Sequence, residues 1–247
     1  MIVQNPEILL VIGMIGLYLY DSAMLLASNQ ALLCAGWKGK WLALFGADNF
    51  LVLGKELFLP NPFLPHRPLY LFSWDDTGFL GPNQLWAAPR NDFLSLAPFI
   101  WSMMVALFVI IPLGLFSRLG NIGVAAGVII FYVSTFIALA IVWHKRDKYA
   151  ITGKNFVSLA FECLTCPPFA VNLIRHLSLL VQPREDFLSV VGRLMGYQDR
   201  EAALKKLILR VQKEIDWEDE GTERAASLQT HLNYLVSETE ICRAQSS

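Results

Sequence analysis

Charged residues are scarce in this sequence. Of its 247 residues, 17% are charged and 55% are hydrophobic, and the mean hydropathy is +0.45, whereas soluble domains carry about 25% charged residues. The formal net charge is −1, and no basic face with interleaved aromatic residues is present, so we predict no nucleic-acid partner. The apolar residues lie in long uninterrupted blocks, which predicts a membrane protein.

The sequence motifs of common enzymes are missing. There is no phosphate-binding glycine loop and no GxSxG nucleophile motif, and no repeat or inverted half of the kind that many transporters have. Asp75 and Asp76 resemble an acid–base pair, but beside prolines we interpret them as part of a turn. The N-terminus lacks a basic region and a cleavage site, which favours a retained helix over a signal peptide. We therefore favour a non-enzymatic protein and predict no cofactor.

Cysteine occurs only at Cys34, Cys163, Cys166 and Cys242. This spacing offers no disulfide framework. Cys163 and Cys166 have the CxxC spacing of a redox pair or of half a zinc site, but no second ligand pair and no upstream βαβ pattern accompanies them. We interpret these thiols as filling a helix interface and predict no metal. Redox or metal chemistry at this pair is the alternative.

Three segments are long and apolar enough to cross a hydrocarbon core about 30 Å thick. They lie at residues 8–27, 94–116 and 122–143. Because a spanning segment must satisfy its own backbone hydrogen bonds, each is predicted to be a helix. A short connection makes the second and third segments an antiparallel hairpin, and Gly123 and Gly127 have the GxxxG spacing typical of close helix packing.

Lysine and arginine set the predicted orientation. Apart from Arg118 in the hairpin turn, they all lie within residues 33–93 or after residue 143. Cytoplasmic loops carry an excess of these residues. We therefore expect a protein of a bacterial inner membrane, in contact with membrane lipid, with its N-terminus outside and its C-terminus in the cytoplasm.

The apolar segment at residues 156–180 is interrupted by Glu162, Arg175 and the paired prolines Pro167 and Pro168. Charged residues are costly inside a membrane, and prolines remove helix donors. Because basic residues flank the segment on both sides, a full crossing would place one basic group outside. We predict two short helices that lie at the interface or re-enter the membrane. A fourth spanning helix is the alternative.

The first loop, residues 31–93, is predicted to have two parts. In residues 31–59, apolar clusters are interrupted by Lys38, Lys40 and Lys55, which predicts helices lying on the membrane with tryptophans at headgroup depth. Residues 60–92 are dense in proline, glycine and aromatic residues. We expect that part to be extended and rich in turns.

The C-terminal tail, residues 183–247, has the character of a soluble segment. A helical stripe of apolar residues runs through residues 199–216, at Leu204, Leu207, Ile208, Val211 and Ile215. Arg210 and several lysines lie off this stripe, and residues 222–241 predict a second amphipathic helix. The two helices either form a hairpin that folds on itself or on the interfacial helices, or present a docking surface to a partner.

Asp21 is an ionisable residue inside the first predicted spanning helix. Such residues mark structural or functional polar contacts. Tyr18 lies near the same helix face, and the third spanning helix offers hydroxyl groups at residues 132–135. We interpret Asp21 as a hydrogen-bonded or hydrated residue near the inner interface. A subunit contact, or an ion path shared with Glu162 or Arg175, is the alternative.

The whole sequence predicts an all-α integral membrane protein with about three transmembrane helices, interfacial or re-entrant helices and a helical cytoplasmic tail. Its predicted segments are residues 1–30, 31–93, 94–143, 144–182 and 183–247. We expect a non-catalytic subunit or scaffold of an inner-membrane complex, which binds other subunits through its loop and tail. The alternatives are a small transport or channel component with a polar path at Asp21, and a membrane thiol oxidoreductase that uses Cys163 and Cys166.

Overall fold

The chain divides into two compact units. The computed structural model describes residues 6–35, 40–46, 51–74, 93–118, 120–149, 151–180, 187–219 and 221–246. Unit 1 comprises Met1–Met24, Leu59–Leu69 and Ala88–Val181, and unit 2 comprises Leu25–Phe58, Tyr70–Ala87 and Gln182–Ser247. The predicted turn at Asp75 and Asp76 lies outside the described residues.

Unit 1 is built from helices. They are α1 (Pro6–Ser22), α2 (Ala97–Val105), α3 (Ile111–Phe116), α4 (Gly120–His144), α5 (Gly153–Thr165), α6 (Pro167–Val171) and α7 (Leu173–Leu180). A π-helical turn, Ala106–Ile110, joins α2 to α3 without a break. Pro112 follows this turn near the start of α3. A proline inside a helix lacks one backbone donor, and the wider π-helical turn is a known way to accommodate such an interruption.

Among the described residues, two helices are long and apolar enough to cross a membrane. Ala97–Phe116 and Gly120–His144 both have a mean hydropathy of 2.4. Only 28% and 33% of their apolar stretches are buried within the structure, whereas a helix that is apolar all round and lies in a soluble protein is buried. These helices confirm the predicted helices at residues 94–116 and 122–143, with ends that differ by at most three residues.

Glycines bring these two helices into close contact. A Cβ atom added to Gly114 would lie 2.5 Å from the backbone nitrogen of Val124, and one added to Gly127 would lie 2.6 Å from Cγ1 of Ile111. Gly123 and Gly127 are both buried. Small residues of this kind allow two helix backbones to approach, which is the role that the GxxxG spacing predicts.

The segment after these helices breaks at the paired prolines. Cys166 has an extended backbone, with φ −124° and ψ 92°, and separates α5 from α6. Pro167 and Pro168 stand in the first turn of α6, where the missing N–H groups have no intrahelical acceptor. Because α5 has only 13 residues and α7 only 8, neither is long enough to cross a bilayer.

The first helix is shorter than predicted. α1 has 17 residues and ends at Ser22, and the chain then enters strand β1 (Met24–Leu26). One continuous helix over residues 8–27 is therefore a wrong prediction. The physical reason is that the side chains of Asp21 and Ser22 are used in tertiary hydrogen bonds, while the following residues join a sheet. Asp21 consequently lies in the last turn of α1.

Unit 2 contains strands in the region where interfacial helices were predicted. They are β2 (Gln30–Ala35), β3 (Trp41–Leu44), β4 (Leu51–Val52) and β5 (Lys55–Phe58). A further strand, β6 (Leu69–Ser73), lies in the part of the loop that was predicted to be extended and rich in turns. With β1 they form two three-stranded sheets, ordered β1-β5-β4 and β3-β2-β6. The chain is mostly helical, but the prediction of an all-α fold with helices in residues 31–59 is wrong. β2 is buried at five successive positions, so it lacks the alternation that signals a strand.

In the described part of unit 2, three helices follow the strands. They are α8 (Phe187–Leu194), α9 (Tyr197–Trp217) and α10 (Glu223–Ser246). α9 and α10 pack on each other as a hairpin that buries Leu207 and Leu235. Near one end, Arg200 Nη2 lies 2.6 Å from Glu238 Oε2. Helices are thus present at both of the predicted positions, residues 199–216 and 222–241.

We expect Gly114→Ala to destabilise the hairpin of Ala97–Phe116 and Gly120–His144 by about 1–3 kcal/mol, because the new methyl group would overlap backbone atoms of α4. Gly13→Ala is the matched control, since Gly13 lies inside α1 with open space around it. That control should be neutral or stabilising by up to about 1 kcal/mol. Unfolding midpoints in detergent compare the two, and equal midpoints would contradict the expected contact.

Candidate functional site

A buried polar cluster lies at the end of α1 in unit 1. Asn172 Nδ2 donates to Asp21 Oδ2 at 2.7 Å and to Ser22 Oγ at 2.9 Å. Arg175 Nη1 donates to Ser22 Oγ at 3.1 Å and to Asn172 Oδ1 at 2.9 Å. Ser22, Asn172 and Arg175 are at most 4% exposed. Buried polar groups require such partners, and Asn172 uses both its amide oxygen and its amide nitrogen here.

Arg175 also binds the loop that precedes β6. Its Nη2 donates to the carbonyl oxygens of Asn61 at 2.6 Å and Leu64 at 3.4 Å. On the same loop, the Tyr18 hydroxyl of α1 donates to the carbonyl oxygen of Pro62 at 2.5 Å. The planar guanidinium has donors in a fixed fork, which suits one side chain to several acceptors. Arg175 therefore ties α1, the loop and α7 together.

An ionisable pair forms the outer edge of this cluster. His176 Nε2 lies 3.1 Å from Asp21 Oδ2, and the two side chains are 25% and 18% exposed. The ring of Phe169 stacks on His176 at 3.9 Å between centroids. A carboxylate at the C-terminal end of a helix is disfavoured by the helix dipole. The contacts that His176 and Asn172 make with the Asp21 carboxylate offset its unfavourable interaction with the helix dipole.

The cluster contains three of the four intramembrane polar residues predicted from the sequence, Asp21, Tyr18 and Arg175. Glu162 lies elsewhere, exposed on α5, where it accepts a hydrogen bond from Ser158 at 3.2 Å. The hydroxyls at residues 132–135 also have other partners: Tyr132 donates to a carbonyl of α5, and Ser134 and Thr135 bind groups within the hairpin of the two long helices.

Sequence reasoning missed Ser22, Asn172 and His176 as members of the cluster. The available signal was local: Asn172, Arg175 and His176 recur at spacings of three and four residues, which places them on one side of a helical segment. That spacing does not reveal the partner. Asn172 and Asp21 are 151 residues apart in the chain.

The first cysteine of the predicted thiol pair, Cys163, is buried. Cys163 is buried in α5 and Cys166 is partly exposed, and both are free thiols. Burial raises the pKa of the Cys163 thiol to about 12, and the nearby carboxylate of Glu162 adds to the effect. Since the thiolate is the nucleophile and metal ligand, this environment opposes thiol chemistry. Among the described residues, no group of three or more His, Cys, Asp and Glu side chains could hold a metal ion.

Unit 2 contains a buried ion pair between Arg210 of α9 and Glu56 of β5. Arg210 Nη2 donates to Glu56 and to the carbonyl oxygen of Gly46, and Nη1 donates to the carbonyl oxygen of Ser28 at 3.3 Å. Arg210 is 8% exposed and Glu56 is 6% exposed. The sequence grouped Arg210 with the lysines outside the apolar stripe, and the structure corrects this because a carboxylate 154 residues away pairs with it.

The same carboxylate stands at the root of the hairpin formed by β4 and β5. Leu51 pairs with Glu56 and Val52 with Lys55. Leu53 and Gly54 form the turn with φ values of +53° and +74°, the sign that a two-residue type I′ turn requires at both positions. For leucine, this left-handed conformation costs roughly 1–2 kcal/mol.

No match to this chain is found among protein-family models, curated proteins or solved structures. In unit 1, the hydrogen bonds of Arg175 and Asn172 join separate segments, which is the behaviour of a structural cluster. Asp21 and His176 add a partly exposed carboxylate–imidazole pair at the edge of this cluster.

Replacing Arg175 with lysine is expected to destabilise unit 1. The variant keeps the positive charge, but the lysine ammonium cannot reproduce the planar array of N–H donors of the arginine guanidinium. Each buried acceptor that is left without a donor lowers the free energy of unfolding by about 1–3 kcal/mol. Arg146→Lys is the matched control, because the Arg146 side chain is 42% exposed. Chemical unfolding in detergent should show a much lower midpoint only for Arg175→Lys. A similar loss in both variants would contradict the structural role.

Cys163 is expected to react slowly with iodoacetamide in the folded protein. Because its pKa is about 12, the thiolate fraction stays small up to about pH 10, and reactivity should appear only when unfolding returns the pKa to its ordinary value. The rate is measured against pH in a variant whose Cys34, Cys166 and Cys242 are replaced by alanine. Equal rates for folded and denatured protein at pH 8 would show that Cys163 is accessible and ionisable.

Proposed function

We propose that this chain is a membrane-anchored, non-catalytic subunit or scaffold of a membrane complex. The observation that carries this proposal is the uncovered apolar exterior of the two long helices in unit 1. Ile129 and Phe136, for example, are 63% and 58% exposed. Apolar surface costs about 25 cal/mol per Å² when it faces water, and this cost disappears in lipid.

We propose that α1 also spans the membrane, in addition to the two long helices. Its 17 residues extend about 25 Å, at the short end of the range for a spanning helix. Apart from Glu7 in the first turn and Tyr20 near the C-terminal end, its outward residues are apolar, and Ile12 and Leu17 are each 54% exposed. The polar cluster at its C-terminal end would then lie at the interface, where Asp21 and His176 meet water.

The charges at the end of α4 support a cytoplasmic location for that end. Arg146 lies over the ring of Trp143 at 4.3 Å, and Lys145 Nζ donates to Ser95 Oγ at 2.8 Å. Tryptophan is enriched at membrane interfaces, and basic residues accumulate on the cytoplasmic side. We therefore propose that the N-terminus lies outside and the tail in the cytoplasm, the orientation expected for a protein of a bacterial inner membrane.

The hairpin of α9 and α10 is the proposed surface for another subunit. A groove runs between the two helices, and in it Leu209 and Val236 are 65% and 42% exposed. Lys205, Glu240 and Arg243 border these aliphatic residues. An apolar centre with a polar rim is the usual composition of a protein–protein interface.

A transport or channel component is the second candidate, and the Asp21–His176 pair favours it. The pair is partly exposed and is built from two groups that exchange protons. Asp21→Asn separates the two candidates, because it would abolish proton-coupled transport but only weaken assembly of a scaffold. The third possibility, a thiol oxidoreductase, receives no support from the buried Cys163.

Introducing charge into the groove should release the partner. We expect the wild-type chain, purified in a gentle detergent, to retain a stoichiometric membrane subunit. The double variant Leu209→Asp, Val236→Asp should lose that subunit while staying in the membrane fraction, because buried unpaired carboxylates oppose an apolar contact. Ser227→Asp, at an exposed position of α10, is the control and should retain it. A groove variant that still retains the subunit would contradict this interface.

A further inference from the structure

The tip of the β4–β5 hairpin in unit 2 exposes aliphatic side chains that do not pack in the interior of the unit. We define the hairpin tip as Leu51, Val52 and Leu53, which are 52%, 44% and 93% exposed. A strand with one face on a core exposes alternate residues, but both residues of β4 are exposed. The tip therefore presents aliphatic side chains on both faces and at its end.

Leu53 is an unfavourable choice for the turn in which it lies. Its φ of +53° falls in the left-handed region, where asparagine, aspartate and glycine are favoured. A leucine at this position weakens the turn and exposes nearly its whole side chain to water. Neither turn geometry nor core packing accounts for it, which points to an apolar environment outside unit 2.

One end of the β4–β5 hairpin is held by a buried ion pair, and an exposed lysine lies beside its apolar residues. Glu56, opposite Leu51, is buried and bound by Arg210, so the interior of unit 2 sets the direction of the hairpin. Lys55, opposite Val52, is exposed. Aliphatic residues beside a lysine match the boundary between lipid acyl chains and anionic headgroups.

We propose that the hairpin tip inserts into the surface of the membrane that anchors this chain, with Lys55 at the lipid headgroups. The proposal rests on the membrane anchoring proposed for unit 1. Unit 2 begins at Leu25, the third residue after the end of α1 at Ser22. This short connection to the membrane anchor raises the effective concentration of the hairpin tip at the bilayer surface. Three aliphatic residues are therefore enough for membrane contact, whereas a domain without an anchor would need a larger apolar surface.

Depth-dependent fluorescence quenching tests this insertion in the full chain. The four native cysteines are replaced by alanine, and an environment-sensitive NBD label is attached to Leu53→Cys. The protein is reconstituted into vesicles of phosphatidylcholine and phosphatidylglycerol. Ile129→Cys on α4 serves as the reference for the anchor, and Ser227→Cys on α10 serves as the aqueous reference. Nitroxide-labelled lipid and aqueous iodide are the two quenchers.

We expect the label at residue 53 to be quenched by the lipid nitroxide and protected from iodide, as at residue 129 and unlike residue 227. Quenching by iodide at residue 53, with lipid quenching at residue 129, would overturn the insertion and leave the membrane anchor standing. Iodide quenching at both positions would overturn the anchor as well. Protection from both quenchers at residue 53 would show that protein covers the tip, which also contradicts insertion.

Leu53→Asn provides a variant that should fold at least as well as the wild type, because asparagine suits the left-handed turn. With the NBD label on Val52→Cys, this variant should show at least a threefold loss of lipid quenching. The thermal unfolding midpoint should stay equal or rise. Unchanged lipid quenching at residue 52 would overturn the role of Leu53 in insertion.

Discussion

The buried guanidinium of Arg175 constrains how α1, the loop at residues 61–64 and α7 meet in unit 1. A charge at 4% exposure is stable only when its donors are satisfied, and here they meet acceptors from α1, from the loop at residues 61–64 and from Asn172. Ser22 is the last residue of α1, and the carbonyl groups of Asn61 and Leu64 lie in a loop outside the sheets. One side chain therefore joins the end of α1 to this loop.

The parts of the fold that sequence predicts well are those governed by local composition. The two long apolar helices follow from their length and lack of charge, and the break at Cys166 follows from the two prolines after it. The strands of unit 2 do not follow in this way. β2 is a short apolar run buried on both faces, and periodicity does not distinguish such a run from a buried helix. The lysines between the strands then resemble the polar face of an interfacial helix.

The same distinction between local composition and long-range contacts decides which residues of the candidate sites are predictable from the sequence. Asp21 and Arg175 stand out in sequence because ionisable residues in apolar segments are costly, and both lie in the cluster. Their partners were not predictable, since Asn172 reaches α1 across 151 residues. Arg210 was misjudged for a similar reason: its position on α9 lies off the apolar stripe, and only the tertiary pairing with Glu56 explains its burial. Long-range polar contacts leave no periodic signal in the chain.

Both units thus use one buried arginine to hold segments that are distant in sequence. Apolar contacts are strong but non-directional, and a chain with this much aliphatic surface could pack in several ways at similar free energy. A guanidinium accepts far fewer arrangements, because each misplaced acceptor leaves a buried donor unsatisfied. In unit 1 this selectivity specifies how α1 meets α7. In unit 2 the pairing of Arg210 with Glu56 orients the β4–β5 hairpin. Because the direction of the hairpin is specified, its three exposed aliphatic residues can all contact the same membrane surface, as proposed above.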